Sequence, residues 1–253
     1  MYSIITNNSC VKLSNNKQIY NTSIKLYKDI GVCEITYLKG VFEVNEEQKR
    51  DIVKRGQGSK DNQEKNQQRS RIRSGSIVRE LILANELNYH WVLTFADDVT
   101  DRDEVLDKFR KFIMRLNYRT GRSVDYVAVL EIQEQRAKKY GVEVWHLHMA
   151  INEYIKHKAM LDIWGHGGVR VKKHKDGVTG VAGYLSKYLK KDMAKYEEFN
   201  KRRFLCSKGL KRAEVKKSFL DDGALSFLRD KSEFKIEYEG LEWFKIDLDK
   251  LNV

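Results

Sequence analysis

Apolar positions fall at helical spacing in some stretches of this chain and alternate with polar ones in others, and the order of the two patterns predicts its elements. Ser76 to Leu87 reads as an amphipathic helix, with Ile77, Val78, Leu81, Ile82 and Leu87 on one side and Arg79 and Glu80 outward. It leads into a strand, Trp91 to Phe95. Asp101 and Glu104 are spaced as a capping box for a helix through Leu116, whose Val105, Leu106, Phe109, Phe112, Ile113 and Leu116 form a stripe. After the turn Arg119-Thr120-Gly121, two alternating runs follow, Val127 to Gln133 and Val144 to Ala150, joined through the polar Arg136 to Gly141. A helix from Ile155 to Trp164, a strand from Val169 to Lys172 and a helix around Gly183 to Lys191 complete the series. The glycines Gly165, Gly167 and Gly168 read as a helix end and turn, since no phosphate-loop sequence follows them.

Helices alternating with mostly antiparallel strands predict an α+β fold of the ferredoxin-like or RNA-recognition-motif type, with an antiparallel sheet, helices on one face and a site on the other. Outside this core the patterns are shorter. Residues 1–53 hold strand-like pieces, Ser23 to Tyr27 and Val32 to Leu38, and form a β-rich extension. Residues 54–75 carry almost no large apolar side chain and read as a polar, basic loop or linker, in which Arg69, Arg71 and Arg73 are solvated. Residues 218–253 form a C-terminal extension. Its Phe234, Ile236, Tyr238, Leu241, Trp243, Phe244, Ile246 and Leu248 alternate as in strands, able to complete a sheet with the N-terminal piece or to meet a partner.

Alternation also sorts the chemistry. In Val144 to Ala150, Trp145, Leu147 and Met149 point one way and His146 and His148 the other, which puts two imidazoles about 7 Å apart on one face. In the preceding run Glu131 shares a face with Val129 and Gln133. If the apolar faces of the two runs coincide, Glu131 lies across from the histidines, giving two imidazoles and a carboxylate for one metal ion. Taken alone, a His-x-His also suits the polar face of a hairpin. His157, His166 and His174 lie off this register and read as surface residues, and the sequence does not position His90 or Asp97, which flank the first strand.

Composition narrows the class. A 33% charged content and a net charge of +12 point to a polyanionic partner, although a basic balance by itself also suits a ribosomal or membrane-surface protein. No apolar run approaches a membrane span, and Met1 to Cys10 lacks a signal-type core, so a cytoplasmic protein without a membrane partner is expected. Cys10, Cys33 and Cys206 are odd in number and far apart, which argues against disulfides and a zinc knuckle.

The decisive addition is Gly183-Tyr184-Leu185-Ser186-Lys187-Tyr188-Leu189-Lys190-Lys191, a tandem Tyr-x-x-Lys with Tyr184 and Tyr188 at i, i+4 on one helix face. Together with Trp91-Val92-Leu93-Thr94-Phe95 and with Glu131 and His146-Leu147-His148, it resembles the HUH endonucleases, specifically the two-tyrosine rolling-circle replication initiators of bacterial plasmids and single-stranded DNA phages. The resemblance covers roughly residues 76–212, and the endonuclease domain is expected over 76–217. It implies the same fold, a Mn²⁺ or Mg²⁺ ion on Glu131, His146 and His148, and Tyr184 and Tyr188 as nucleophiles assisted by Lys187 and Lys191. On ligand type alone zinc would also fit.

The implied reaction is transesterification of single-stranded origin DNA, leaving a 5′-phosphotyrosine and a 3′-OH that primes a polymerase; the sequence does not rank the tyrosines. Arg170, Lys172, Lys173, Lys175, Lys208, Lys211 and Arg212, with Lys201, Arg202 and Arg203, are expected to bind DNA, single-stranded or as an extruded hairpin. No helicase P-loop is present in the sequence, so a host helicase and a host polymerase are expected partners, in the cytoplasm of a bacterial host. A conjugative relaxase or transposase uses the same parts, and a non-catalytic nucleic-acid-binding module would share the fold without metal dependence or a covalent adduct. Oligomeric state is left open.

Overall fold

A computed structural model describes residues 11–12, 18–43, 60–133, 137–139, 141–190, 203–238 and 240–251. In chain order these form β1 (Val11–Lys12), β2 (Gln18–Tyr27), β3 (Val32–Glu43), α1 (Lys60–Ala84), β4 (Tyr89–Thr94), α2 (Arg102–Thr120), β5 (Tyr126–Ile132) and β6 (Trp145–Ile151). There follow α3 (His157–Trp164), β7 (Val169–Lys172), α4 (Gly177–Lys190), β8 (Phe204–Cys206), β9 (Glu214–Ser218), α5 (Asp222–Asp230), β10 (Phe234–Tyr238) and β11 (Leu241–Asp247). The chain divides into two compact units, residues 57–212 and residues 1–56 with 213–253.

The larger unit is α+β, of ferredoxin-like type, around an antiparallel five-stranded sheet in the order β7-β4-β6-β5-β8. One face of that sheet carries Trp91, Leu93, Leu130, Ile132, Leu147 and Met149, which form a single core with Val105, Phe109, Phe112 and Leu116 of α2 and Met160, Ile163 and Trp164 of α3. Side-chain hydrogen bonds tie these helices in. Trp164 Nε1 donates to Thr94 O at 2.8 Å, and the Arg115 guanidinium donates to Ile163 O and Trp164 O, each at 2.9 Å, satisfying carbonyls at the end of α3. The Asp101 side chain caps α2 by accepting from the N–H groups of Asp103 and Glu104. The expected reciprocal half of that box differs, because the Glu104 carboxylate lies 3.1 Å from Lys108 one turn on.

The other face of this sheet meets α4 and α1. Helix α4 buries Val178, Val181, Ala182, Leu185 and Leu189, at helical spacing, and leaves Tyr184 and Tyr188 half-buried beside them. Helix α1 corrects two expectations. The stretch expected as a loop is helical from Lys60 onward, so α1 starts sixteen residues before Ser76. Its first half has no apolar stripe, but Lys, Gln, Glu and Arg are good helix formers and the chain contains no proline to interrupt them. The helix also stops earlier than Leu87: Glu86 takes a left-handed conformation (φ 48), and Leu87, fully buried, donates its N–H back to Ile82 O at 3.1 Å.

The glycine cluster acts as expected in part and adds a close approach. Gly165 ends α3 in the left-handed region, donating to Leu161 O. Gly167 has φ 149, and a Cβ there would lie 2.4 Å from Thr94 O and 2.5 Å from Ala96 N. Gly167→Ala is therefore expected to destabilise the domain by more than about 3 kcal/mol, because both the backbone region and the space exclude a side chain. A thermal melt would read this as a large drop in midpoint.

The smaller unit is a six-stranded antiparallel sheet in which β3 pairs with β11, and β2 pairs with β3, β1 and β9. Its core is Ile24, Leu26, Cys33, Ile35, Phe244 and Ile246 with Leu225 and Leu228 of α5. Helix α5, capped by Asp221, stands where strand-like alternation was expected from Phe227 onward. Strand β9 belongs to this sheet, so the division falls after Arg212 rather than after residue 217. Arg229 makes a two-pronged pair with the buried Glu242, at 2.8 and 3.2 Å.

Candidate functional site

Strand register brings the histidines and the carboxylate together. In the β5–β6 pairing Glu131 stands directly opposite His146, and Val129 opposite His148, so all three polar side chains share one face. Glu131 Oε2 lies 2.8 Å from His146 Nε2 and 2.8 Å from His148 Nε2, and the two imidazole nitrogens are 3.0 Å apart. Among the described residues this is the cluster of at least three donors able to hold a metal ion. The donors fit a cation: three lone-pair atoms aim at one point, in a partly buried place where like dipoles would otherwise repel.

The charges follow from this packing. Burial works to raise the Glu131 carboxyl, but hydrogen bonds from His146 and His148, with their charge, outweigh it and hold it at about 2 against an ordinary 4.5. Burial is also the main reason His148 lies below the usual imidazole range.

Behind His148 stands a residue the sequence did not position. His90, fully buried on β4, has its Nε2 2.9 Å from His148 Nδ1 and its Nδ1 2.8 Å from His174 Nε2. Burial, then the charges of His148, His174 and Lys172, push His90 down to about 2. The one available clue was parity, since His90 shares a face with Val92 and Thr94 opposite Trp91, Leu93 and Phe95. His174, expected at the surface, is instead half-buried against His90, their rings stacked at 5.1 Å and 20°. His157 is exposed and 3.0 Å from Val169 O, and His166 is half-buried near Arg115.

A pH dependence follows for the metal-free protein. His90 and Glu131 both bind protons in the unfolded chain that the folded chain refuses, His90 below an ordinary 6.5 and Glu131 below 4.5, each down to about 2. Their contribution to stability is complete above 6.5 and is lost as the pH falls toward 2. Urea unfolding across this range should give a midpoint that declines from about pH 6.5 and more steeply below about 4.5.

The tyrosines of α4 lie against this cluster. Tyr188 stacks on His148 with centroids 4.3 Å apart and 19° between planes, and Tyr184 packs on His90 and His174 at 5.1 and 5.3 Å. Lys172 of β7, read from sequence as a DNA contact, stands 3.7 Å from the Tyr184 ring centroid and donates to its hydroxyl oxygen. Tyr188 donates to that same oxygen. Burial, this hydrogen bond and the Glu131 charge all push the Tyr188 phenol upward.

The remaining candidates divide. Lys187, Arg170, Lys173, Lys175, Lys208 and Lys211 are exposed. The Arg212 guanidinium is 2.8 Å from the buried Glu80, so it is committed to an ion pair within its own unit. The Lys211 backbone is held on both sides by the Asn85 side chain, at 2.8 and 3.0 Å. Lys191, Lys201 and Arg202 lie outside the described residues.

An α+β sheet with a two-histidine, one-carboxylate centre faced by paired phenols is the class defined so far. Residues 88–193, which contain all of these groups, match a family model for the replication-associated proteins of the ORF2 type. The match supports a replication-associated, initiator-like protein. No curated protein and no solved structure matches. No described helix is long and apolar enough to cross a membrane.

Proposed function

We propose that the chain is a rolling-circle replication initiator, nicking and rejoining single-stranded origin DNA through a 5′-phosphotyrosine. The observation that carries this reading is the meeting of the Glu131, His146 and His148 donors with the phenols of Tyr184 and Tyr188 on one face of the sheet. A divalent cation on those donors would polarise a non-bridging phosphate oxygen and offset the charge that grows during attack. Donor separations of 2.8, 2.8 and 3.0 Å match octahedral edges for bonds of about 2.1 Å, as Mg²⁺ forms. Tetrahedral zinc with similar bonds would set them about 3.4 Å apart.

Tyr184 is the better placed first nucleophile. Its oxygen accepts from the Lys172 ammonium and from the Tyr188 hydroxyl, so positive charge and a donor sit where phenolate charge develops, while Tyr188 is held as the donor. Attack by the Tyr184 oxygen forms the Tyr–O–P bond and breaks the P–O3′ bond, and the departing 3′-oxygen takes up a proton. The ester keeps the energy of the broken bond, so a 3′-hydroxyl attacking later restores the strand and frees the tyrosine. Tyr188, one turn on, is then available for a second cleavage. Lys187 and the exposed Arg170, Lys173, Lys175, Lys208 and Lys211 supply positive charge for the phosphate backbone.

The test is a nicking assay on a pool of single-stranded oligonucleotides from the replicon that carries this gene, with and without Mn²⁺ or Mg²⁺. The expected result is a covalent protein–DNA species and a 3′-OH product that both require the cation. Binding of DNA without either product would favour a non-catalytic module.

A further inference from the structure

His148 is the one metal-site imidazole whose second nitrogen is held by another side chain: His146 Nδ1 is buried with no hydrogen-bond partner, whereas His148 Nδ1 is 2.9 Å from His90 Nε2. The contact continues, His90 Nδ1 lying 2.8 Å from His174 Nε2, so three imidazoles run in line from the donor cluster to the segment between β7 and α4. The line is built rather than incidental. His90 is fully buried, and both of its ring nitrogens are used by other imidazoles. Gly180 in α4 is what lets His174 in, since a Cβ there would stand 2.8 Å from His174 Cβ. The outer imidazole is flanked by Lys173 and Lys175, both exposed, and packs on the Tyr184 ring at 5.3 Å.

We infer that His90 is a positioning residue for the metal centre and that His174 reports the state of that centre to the edge of the site, through the hydrogen bonds of a three-histidine line. The inference rests on the metal reading above. It follows from which nitrogen can carry hydrogen. An imidazole binding a cation through Nε2 must carry its hydrogen on Nδ1, and the partner on the far nitrogen fixes that tautomer and the ring's orientation. His148 then donates to His90 Nε2. His90 must carry its own hydrogen on Nδ1 and donate to His174 Nε2, which leaves the His174 hydrogen on Nδ1. With the cation absent, His148 Nε2–H donates to Glu131 and every tautomer in the line reverses. The change balances: His148 Nε2 gives a proton to solvent, His90 Nε2 passes one to His148 Nδ1, His174 Nε2 passes one to His90 Nδ1, and His174 Nδ1 takes one from solvent.

Two measurements on the full chain test this. Nitrogen-15 NMR of histidine-labelled, unsubstituted protein, titrated with diamagnetic Zn²⁺ as probe, should show His174 converting from Nε2–H to Nδ1–H as the metal binds. Calorimetric titration with Mn²⁺ should show His90→Phe binding about 10- to 100-fold more weakly than the parent. His90→Gln, whose amide oxygen can accept where Nε2 did, should recover most of that loss, as a merely space-filling role would not allow. A His174 tautomer unmoved by bound metal, or a folded His90→Phe protein with parental affinity, would overturn the relay while leaving the metal site in place. Absence of metal binding by the parent would remove both. Should His90→Phe fail to fold, the NMR measurement decides alone.

Discussion

Tyr184→Phe is expected to lower single-turnover formation of the covalent protein–DNA adduct by at least about a thousandfold, because it deletes the attacking oxygen itself. Tyr188→Phe should cost far less at the first cleavage, about tenfold, since it removes one hydrogen bond to that oxygen and leaves the Lys172 ammonium in contact. The two substitutions are close to matched in shape, so a difference between them reports on the oxygens alone. Denaturing gels of protein bound to end-labelled oligonucleotide give the measurement. The opposite ranking would mean that Tyr188, the ring stacked on His148, attacks first. Adduct persisting in the double substitution would remove α4 from the chemistry.

Glu131→Gln carries the second large effect. The carboxylate oxygen is 2.8 Å from both imidazole nitrogens, and it supplies the only formal negative charge of the donor set. An amide oxygen in its place leaves a neutral site, for which affinity for Mn²⁺ is expected to fall at least about a hundredfold. The same change should appear in stability. Saturation of the parent at about 100 times its Kd adds about 2.7 kcal/mol to unfolding, and Glu131→Gln at that metal concentration should gain almost none of it. Thermal melts with and without Mn²⁺ read both proteins side by side. An undiminished metal-induced shift in Glu131→Gln would take the carboxylate out of the metal's shell.

Period-two alternation made the centre of the site legible in advance, because one buried face per strand fixes register and so decides which residues share a side. Glu131, His146 and His148 needed only the assumption that β5 and β6 pair with their apolar faces together, and the observed pairing has Glu131 opposite His146. What lay behind them was not legible. His90 sits on β4, and a sequence does not say that β4 will lie on the far side of β6 from β5. Lys172 reads as one more cation in a basic run until β7 is known to be the edge strand beside β4, which carries it to Tyr184. Helix α1 hid for a different reason, since its first half has helix-forming residues but no apolar period. Arg212 was counted among the DNA contacts because nothing nearby in sequence marks Glu80, 132 positions earlier, as its partner.

The central claim is that Glu131, His146 and His148 bind one cation together, beside Tyr184 and Tyr188. Pulsed electron–nuclear resonance on the Mn²⁺-loaded protein tests it directly, with nitrogen-15 in the histidines to identify the couplings. The account predicts one Mn²⁺ per chain coupled to two imidazole nitrogens, with one coupling lost in His146→Ala and one in His148→Ala. Bound Mn²⁺ with no histidine coupling, or with both couplings intact in His148→Ala, would contradict it.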